Sequence, residues 1–279
     1  MAKLVKINSL EDPRIEYYIN LTESQLRNRL EPEKGILIAE SIKVICTALE
    51  SGVSPVSFLM PEKHFYGQAA SVLSRYPDVP VFTAEDDLLE HLTGYRLTRG
   101  ILCAMKRPGP HSATSVLSNS HRIAVLENIV DATNIGAIFR SAAALGIDGI
   151  LVAPNCCDPY NRRSTRVSMG TVFQIPWAYI CENTDVFYEQ GLTLLRQKGY
   201  RTVAMALSKR SISFEAPELQ REERMAIVLG AEGEGLSDFV LEQCDDTITI
   251  PMYHGVDSLN VAAASAVAFW QLRYKAAQE

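Results

Sequence analysis

An α/β fold is predicted for this 279-residue chain, on three observations. Short apolar runs alternate with helical patterns, which implies strands on a largely parallel sheet with helices packed against it. The alternation stops once, in "PGPHSATSVLSNS", and then restarts. A glycine-rich turn, "LGAEGEGLSD", follows directly on the buried-strand pattern "RMAIVLG". In sheets of this kind, ligands bind in the loops at the carboxyl ends of the strands.

The elements follow in order. "EKGILIAESIKVICTALESG" reads as a short strand, then a helix ending near Gly52. "SPVSFLMP" is a strand, "FYGQAASVLSRYP" a helix closed by Pro77, and "VPVFTA" a strand. "EDDLLEHLTG" is a short helix and "RGILCAMKRP" a strand. The Pro-, Gly-, Ser- and Asn-rich stretch has no periodicity and reads as a linker. Beyond it "HRIAVLENIV" is a strand, "NIGAIFRSAAALG" a helix capped by Gly146, and "IDGILVAP" a strand. "TDVFYEQGLTLLRQKG" is a helix. "YRTVAMAL", "RMAIVLG" and "DDTITIPM" are strands, and "SLNVAAASAVAFWQLRYKAA" is a long terminal helix. The expected organisation is a domain over 1–105, a linker over 106–120 and a second domain over 121–279.

Composition narrows the function classes. A hydrophobic fraction of 47% and a charged fraction of 22% are ordinary for a globular protein. The longest small-apolar stretch, "VAAASAVAFW", is too short to span a membrane, and the first residues lack a signal-peptide hydrophobic region. A cytoplasmic protein with no membrane partner is expected. Six cysteines without a C-x-x-C are read as reduced thiols, and no metal site is expected. The net charge of −6 argues against nonspecific nucleic-acid binding as a global property. It leaves room for local basic clusters: Arg162, Arg163 and Arg166 in "DPYNRRSTRVSMG", and Arg96, Arg99, Lys106 and Arg107 in "GYRLTRGILCAMKRP".

Three loops in the second half are candidates for chemistry. In "ENIVDATNIGAIFR", Asn134 is placed to cap a helix, and a helix start offers free N–H groups to an anion. Arg140 lies four residues after Gly136 and leans back over it. It is either a solvated surface cation or a functional one. In "IVLGAEGEGLSD", the spacing is not G-x-G-x-x-G and no Lys-Ser/Thr follows. Glu232 and Glu234 repel phosphate, so the loop suits a ligand with positive charge and no phosphate. In "IPMYHGVDSLNVAAASA", a strand ends at Pro251 and a helix is expected from Ser258, where Ser258 or Asn260 acts as a cap or as a ligand group.

Taken in this order, the three loops resemble the three motifs of the SpoU (TrmH) family of RNA ribose methyltransferases. N-x-G-x-x-x-R is met by Asn134, Gly136 and Arg140. G-x-E-G-x-G-L is met by Gly230, Glu232, Gly233, Gly235 and Leu236. I-P-M followed by S-L-N is met by Ile250, Pro251, Met252, Ser258, Leu259 and Asn260. The family often has Gly where this chain has His254.

The resemblance implies an α/β trefoil-knot methyltransferase domain preceded by a small α/β/α ribosomal-protein-like RNA-binding domain. It also implies S-adenosylmethionine as cofactor, a homodimer, and RNA as substrate, ribosomal RNA before tRNA. The implied catalytic residues are Asn134, Arg140, Glu232, Ser258 and Asn260. The implied cofactor-binding residues are Leu229, Gly230, Glu232, Gly233, Gly235, Ile250, Met252, Ser258 and Leu259. Arg162, Arg163 and Arg166 are the expected RNA-binding cluster. Arginine is a poor general base because its free pKa is above about 12. Arg140 is therefore expected to clamp a phosphate and ease alkoxide character on the ribose hydroxyl. Competing readings are a methyltransferase acting on a base, a catalytically silent RNA-binding protein, a tRNA enzyme, and a Rossmann oxidoreductase.

Overall fold

The structure is a computed structural model. It describes residues 3–19, 21–28, 30–93, 100–109, 111–208, 211–231, 233 and 235–274. The chain divides into two compact units. The first comprises residues 1–109 and 160–173, and the second 110–159 and 174–279.

The first unit carries β1 (Leu4–Lys6), α1 (Glu16–Ile19), α2 (Glu23–Arg27), β2 (Ile36–Glu40), α3 (Ile42–Glu50), β3 (Pro55–Met60), α4 (Glu62–Tyr66), α5 (Ala70–Leu73), β4 (Val81–Thr83), α6 (Asp86–Thr93) and β5 (Leu102–Lys106). Its sheet runs β1-β4-β3-β5-β2. β1, β4 and β3 are parallel, whereas β5 is antiparallel to both β3 and β2. The sheet is largely parallel, as expected, with one exception: β5 returns between two strands of the opposite direction.

The second unit opens with α7 (Ala113–Ser118) and β6 (Arg122–Leu126), followed by α8 (Ala132–Leu145) and β7 (Gly149–Val152). The next helix, α9 (Arg162–Val167), belongs to the first unit. The second unit resumes with β8 (Trp177–Tyr179), α10 (Thr184–Gln197), β9 (Arg201–Met205), α11 (Pro217–Arg221), β10 (Met225–Leu229), α12 (Asp238–Gln243), β11 (Asp246–Ile248) and α13 (Val261–Gln271). Its six strands run β11-β9-β10-β6-β7-β8, and every pairing is parallel. β6 and β10 lie at the centre and are buried along their whole length. That explains their unbroken apolar sequence, since a parallel strand covered on both faces has no solvent side.

The stretch read as a linker holds a helix. Ser112 caps α7 by accepting from the Ser115 N–H at 3.1 Å, and Val116 and Leu117 enter the core of the second unit with Ile123 and Val125. Serine and threonine mask helical periodicity, but two apolar residues on one turn suffice to anchor it. The terminal helix is also shorter at its start than expected. Asn260 caps it, not Ser258, and the residues after Tyr274 lie outside those described.

The start of β6 carries an unusual core residue. Arg122 is 1% exposed. Its Nε donates to the Leu272 carbonyl at 2.7 Å, at the end of α13. Nη1 donates to Glu223 O at 2.9 Å and Nη2 to Glu222 O at 2.7 Å, on the approach to β10. Burial pushes its pKa down from the ordinary arginine value. The main-chain carbonyls replace the water that the guanidinium has lost.

Candidate functional site

The loops after β6, β10 and β11 meet at the carboxyl edge of the second sheet. The first, 127–131, leads into α8. Asp131 is the N-cap, accepting from the Thr133 N–H at 2.6 Å, so the capping role expected for Asn134 is corrected. Asn134 instead sits buried in the first turn, where its Oδ1 accepts from Asn260 Nδ2 at 3.0 Å. Asn260 uses its other amide atom on its own helix: Oδ1 accepts from the Ala262 and Ala263 N–H groups at 3.0 and 3.4 Å. One side chain thus caps α13 and ties it to α8. The first and third motifs, 126 residues apart, touch through this pair.

Gly136 is buried and Arg140, one turn later, is exposed. Among the described residues none makes a hydrogen bond or ion pair with Arg140. Ile135, Ile138 and Phe139 are fully buried beside it. Those three anchor α8, each contributing about 1.5–3 kcal/mol by burial, and the helix does not need Arg140 for packing.

The glycine loop after β10 folds back on itself. Ala231 N donates to Gly235 O at 3.1 Å, and Gly235 N to Ala231 O at 3.0 Å. A Cβ at Gly230 would stand 2.5 Å from the main chain of Gly235 and Leu236, so only glycine closes this turn. Gly233 and Gly235 adopt φ of 82° and 73°, the left-handed region. Beside the loop lies a cavity of about 390 Å³. Its walls include Leu229, Gly230, Gly233, Gly235, Ile250, Met252, Ser258 and Leu259, eight of the nine residues expected to bind the cofactor. The ninth, Glu232, lies outside the described residues, as do Glu234, Arg96 and Arg99. Arg140, Asn134 and Asn260 are not walls of this cavity.

The remaining walls are mostly apolar, from Met205 at the end of β9 and Leu207 just after it to Leu241 of α12. Among the described lining residues the single charged side chain is Asp257. Among the described residues no lysine or arginine lines the cavity, which suits a ligand without phosphate. The donor set fits S-adenosylmethionine, which carries an adenosine, a sulfonium and an ammonium. The turn that leads to Ser258 closes with Val256 N donating to Tyr253 O at 3.2 Å. Its central residues, His254 and Gly255, are both left-handed, with φ of 58° and 71°. His254 therefore adopts the conformation that glycine would take.

Several residues escaped the motif reading. Glu127, at the end of β6, is 1% exposed. Asn155 Oδ1 accepts from Asn128 N at 3.1 Å, and Cys156 Sγ accepts from Ile129 N at 3.4 Å while donating to Leu126 O at 3.3 Å. Burial pushes the Cys156 thiol up to about 12. It is a fixed hydrogen-bonding group, not a nucleophile. All six cysteines are free. No signal in the sequence marks an acid or amide at a strand end, because one residue has no period.

The arginine cluster is placed elsewhere. Its segment, 160–173, is part of the first unit. Arg162 Nε donates to Glu40 Oε2 at 3.1 Å and Arg166 Nη1 to Glu40 Oε1 at 3.2 Å. Glu40 ends β2 and is 8% exposed, so a buried acid is neutralised by two arginines. Only Arg163 of the three is exposed. Arg107 lies over the Tyr160 ring, 4.8 Å from its centroid. Among the described residues no group of three or more His, Cys, Asp or Glu side chains is placed to hold a metal ion.

The chain is similar to several known proteins. An uncharacterised tRNA/rRNA methyltransferase of Mycobacterium bovis is 32% identical over 94% of this chain and 88% of its own. The 23S rRNA guanosine 2′-O-methyltransferase RlmP of Bacillus subtilis is 27% identical over 58% of this chain and 62% of its own. The fold matches that of an AdoMet-bound rRNA methyltransferase from Sinorhizobium meliloti, with a TM-score of 0.76 at 21% identity over 97% of both chains. Residues 121–270 match the family model of SpoU rRNA methylases, and these span all three loops. With more than half its length inside that model and a 32% identical relative matched almost end to end, the chain belongs to the SpoU rRNA methylase family.

Proposed function

We propose that this protein methylates a ribose 2′-hydroxyl of structured RNA, ribosomal RNA before tRNA, with S-adenosylmethionine as donor. The observation that carries the reading is the cavity beside the glycine loop, whose one charged wall residue among the described residues is the acid Asp257. Bound there, S-adenosylmethionine supplies a methyl group already activated on a sulfonium. Gly230, Ile250, Met252 and Leu259 hold the adenosine through main-chain and apolar contacts, with Leu229, Gly233 and Gly235 shaping the cradle. Ser258, Glu232 and the Asn134–Asn260 pair orient the ribose, converting a bimolecular encounter into a positioned one. Arg140 meets the target's phosphate and stabilises alkoxide character, a role its exposure and lack of a described partner leave open. Arg163 and the first unit recognise the RNA. The ribosomal preference rests on relatives such as RlmP of Bacillus subtilis, named as a 23S rRNA enzyme.

Two further features belong to the proposal. The segment from the glycine loop through α13 is threaded as a trefoil knot. This is consistent with β11 standing at the far edge of the sheet while α13 returns to pack on α8. The working form is a homodimer. Its support is the pair Val267 and Trp270 on α13, one turn apart and 42% and 57% exposed, with Tyr274 just beyond the helix end at 39%. No described helix is long and apolar enough to cross a membrane, and the expected site of action is the cytoplasm.

The test is incubation of the purified chain with radiolabelled S-adenosylmethionine and, separately, ribosomal RNA and tRNA from a deletion strain, followed by nucleoside analysis. A labelled 2′-O-methylnucleoside from ribosomal RNA is expected. Label on a base overturns the ribose assignment, and label on tRNA alone overturns the preference.

A further inference from the structure

We infer that Glu127 is a positioning residue for the cofactor loop, an assignment that rests on the S-adenosylmethionine reading above. Its carboxylate takes both its described hydrogen bonds from one residue: Oε2 from Ser237 N at 3.0 Å and Oε1 from Ser237 Oγ at 2.7 Å. Ser237 is the residue at which the glycine loop ends. Its Oγ also caps α12, accepting from Val240 N at 3.3 Å. At the other end of the loop, the main-chain N of Glu127 donates to Leu229 O at 2.9 Å, the last residue of β10. One residue therefore grips the loop where it leaves the sheet and where it enters the helix. Leu236, immediately before Ser237, is a wall of the cavity.

A capping role for Ser237 does not require this acid, since a serine hydroxyl caps a helix alone. Nor does stability favour it, because a buried carboxylate costs desolvation that an apolar residue at the same place avoids. What Glu127 adds is geometry. A loop rich in glycine has few conformational limits of its own, and walls built from its main chain are only as precise as its two fixed ends. Glu127 also begins the loop that carries Asp131 and leads to Asn134. Asn155 and Cys156 hold the next two N–H groups of that loop. The carboxylate thus couples the cofactor wall to the segment proposed to orient the ribose.

Two variants test this in the full-length chain. Glu127→Gln can set an amide NH2 against the N–H or O–H of Ser237, replacing an acceptor with a donor. Ser237→Ala keeps the carboxylate and removes the hydroxyl bond. The measurements are calorimetric titration with S-adenosylmethionine and S-adenosylhomocysteine, steady-state methylation of ribosomal RNA, and thermal melting. Kd for both ligands should rise about tenfold in Glu127→Gln, the equivalent of one buried hydrogen bond. Ser237→Ala should show a smaller rise. KM for the cofactor should rise in parallel, with kcat at saturation within about twofold of wild type, because a positioning residue touches no reacting atom. A merely structural acid would lower the melting temperature and leave Kd unmoved. Unchanged Kd in folded Glu127→Gln overturns the assignment. If that variant fails to fold, unchanged Kd in Ser237→Ala does so. A wild-type chain that binds neither ligand sinks the cofactor reading, and the role of Glu127 with it.

Discussion

The two ends of β6 use charge in opposite ways. At the amino end, Arg122 is buried and spends its guanidinium on main-chain carbonyls of the α13 terminus and the β10 approach. Eighteen residues on, past the carboxyl end, Arg140 stands exposed on α8 with no described partner. Both are arginines near an apolar core. The first has its hydrogen-bonding capacity consumed by the fold, so it reports on stability. The second keeps a rigid fork of donors available, so it reports on chemistry. Residue type alone does not separate them; the inventory of partners does.

That contrast can be broken at either end. Arg122→Met fills most of the volume but takes a donor from four main-chain carbonyls. It should cost about 3–5 kcal/mol, from the penalty of unsatisfied buried acceptors, and lower the melting temperature by about 10 °C. Methylation per folded molecule at low temperature should stay near wild type; a large drop in kcat with an unchanged melt would reverse the assignment. Arg140→Ala should do the opposite. Its melt should hardly move, since an exposed helix loses little from Arg to Ala, while single-turnover methylation falls about a hundredfold, the scale of one lost charge-stabilising group. Arg140→Lys should recover part of the rate. Wild-type turnover in Arg140→Ala would make it a solvated surface residue.

A smaller effect is expected at Asp257, the one described charged wall of the cavity. Asp257→Asn should weaken S-adenosylmethionine, which carries the extra sulfonium charge, about threefold more than S-adenosylhomocysteine, a difference under 1 kcal/mol. Equal losses for the two, measured by calorimetry, would remove charge from its role. The smallest effect is in alkaline solution. Burial pushes the Cys156 and Cys244 thiols up to about 12 from an ordinary value near 9. The folded state therefore holds these protons more tightly than the unfolded state does. Their contribution to stability is complete below pH 9 and is lost as pH rises from 9 towards 12. Denaturant midpoints should be flat below pH 9 and fall above it, less steeply in Cys156→Ala. A flat profile up to pH 11 would contradict the burial of both thiols.

The sequence made the second unit legible because its sheet is repetitive. β6, β7, β9 and β10 are apolar runs bounded by turns, and the glycine loop announces a close approach that Gly230 provides. Pairs distant in sequence were not legible. Glu40 meets Arg162 and Arg166 more than 120 residues later, Asn134 meets Asn260 across 126, and Glu127 meets Ser237 across 110. Local pattern carries no trace of such partners. The edge strands β1 and β8, three residues each, were missed, whereas β4 and β11, equally short, were read because the strand-like pattern extends past their paired residues. α7 was hidden in a serine-rich stretch that reads as punctuation. The expected division at 106–120 missed the excursion of 160–173 into the first unit for the same reason, since composition registers where a chain changes character and not where it returns.

That excursion has a consequence for how the protein is made. During synthesis the chain emerges amino end first, and domains tend to fold as units as they appear. Here the first unit cannot finish when Gly109 has left the ribosome. The buried acid of Glu40 must wait for cations that arrive only after fifty further residues, 110–159, have been translated. Until then Glu40 lacks these two arginine partners, while the first two strands of the other half, β6 and β7, have already been made. The first unit is therefore completed only after β6 and β7 of the second have been synthesised.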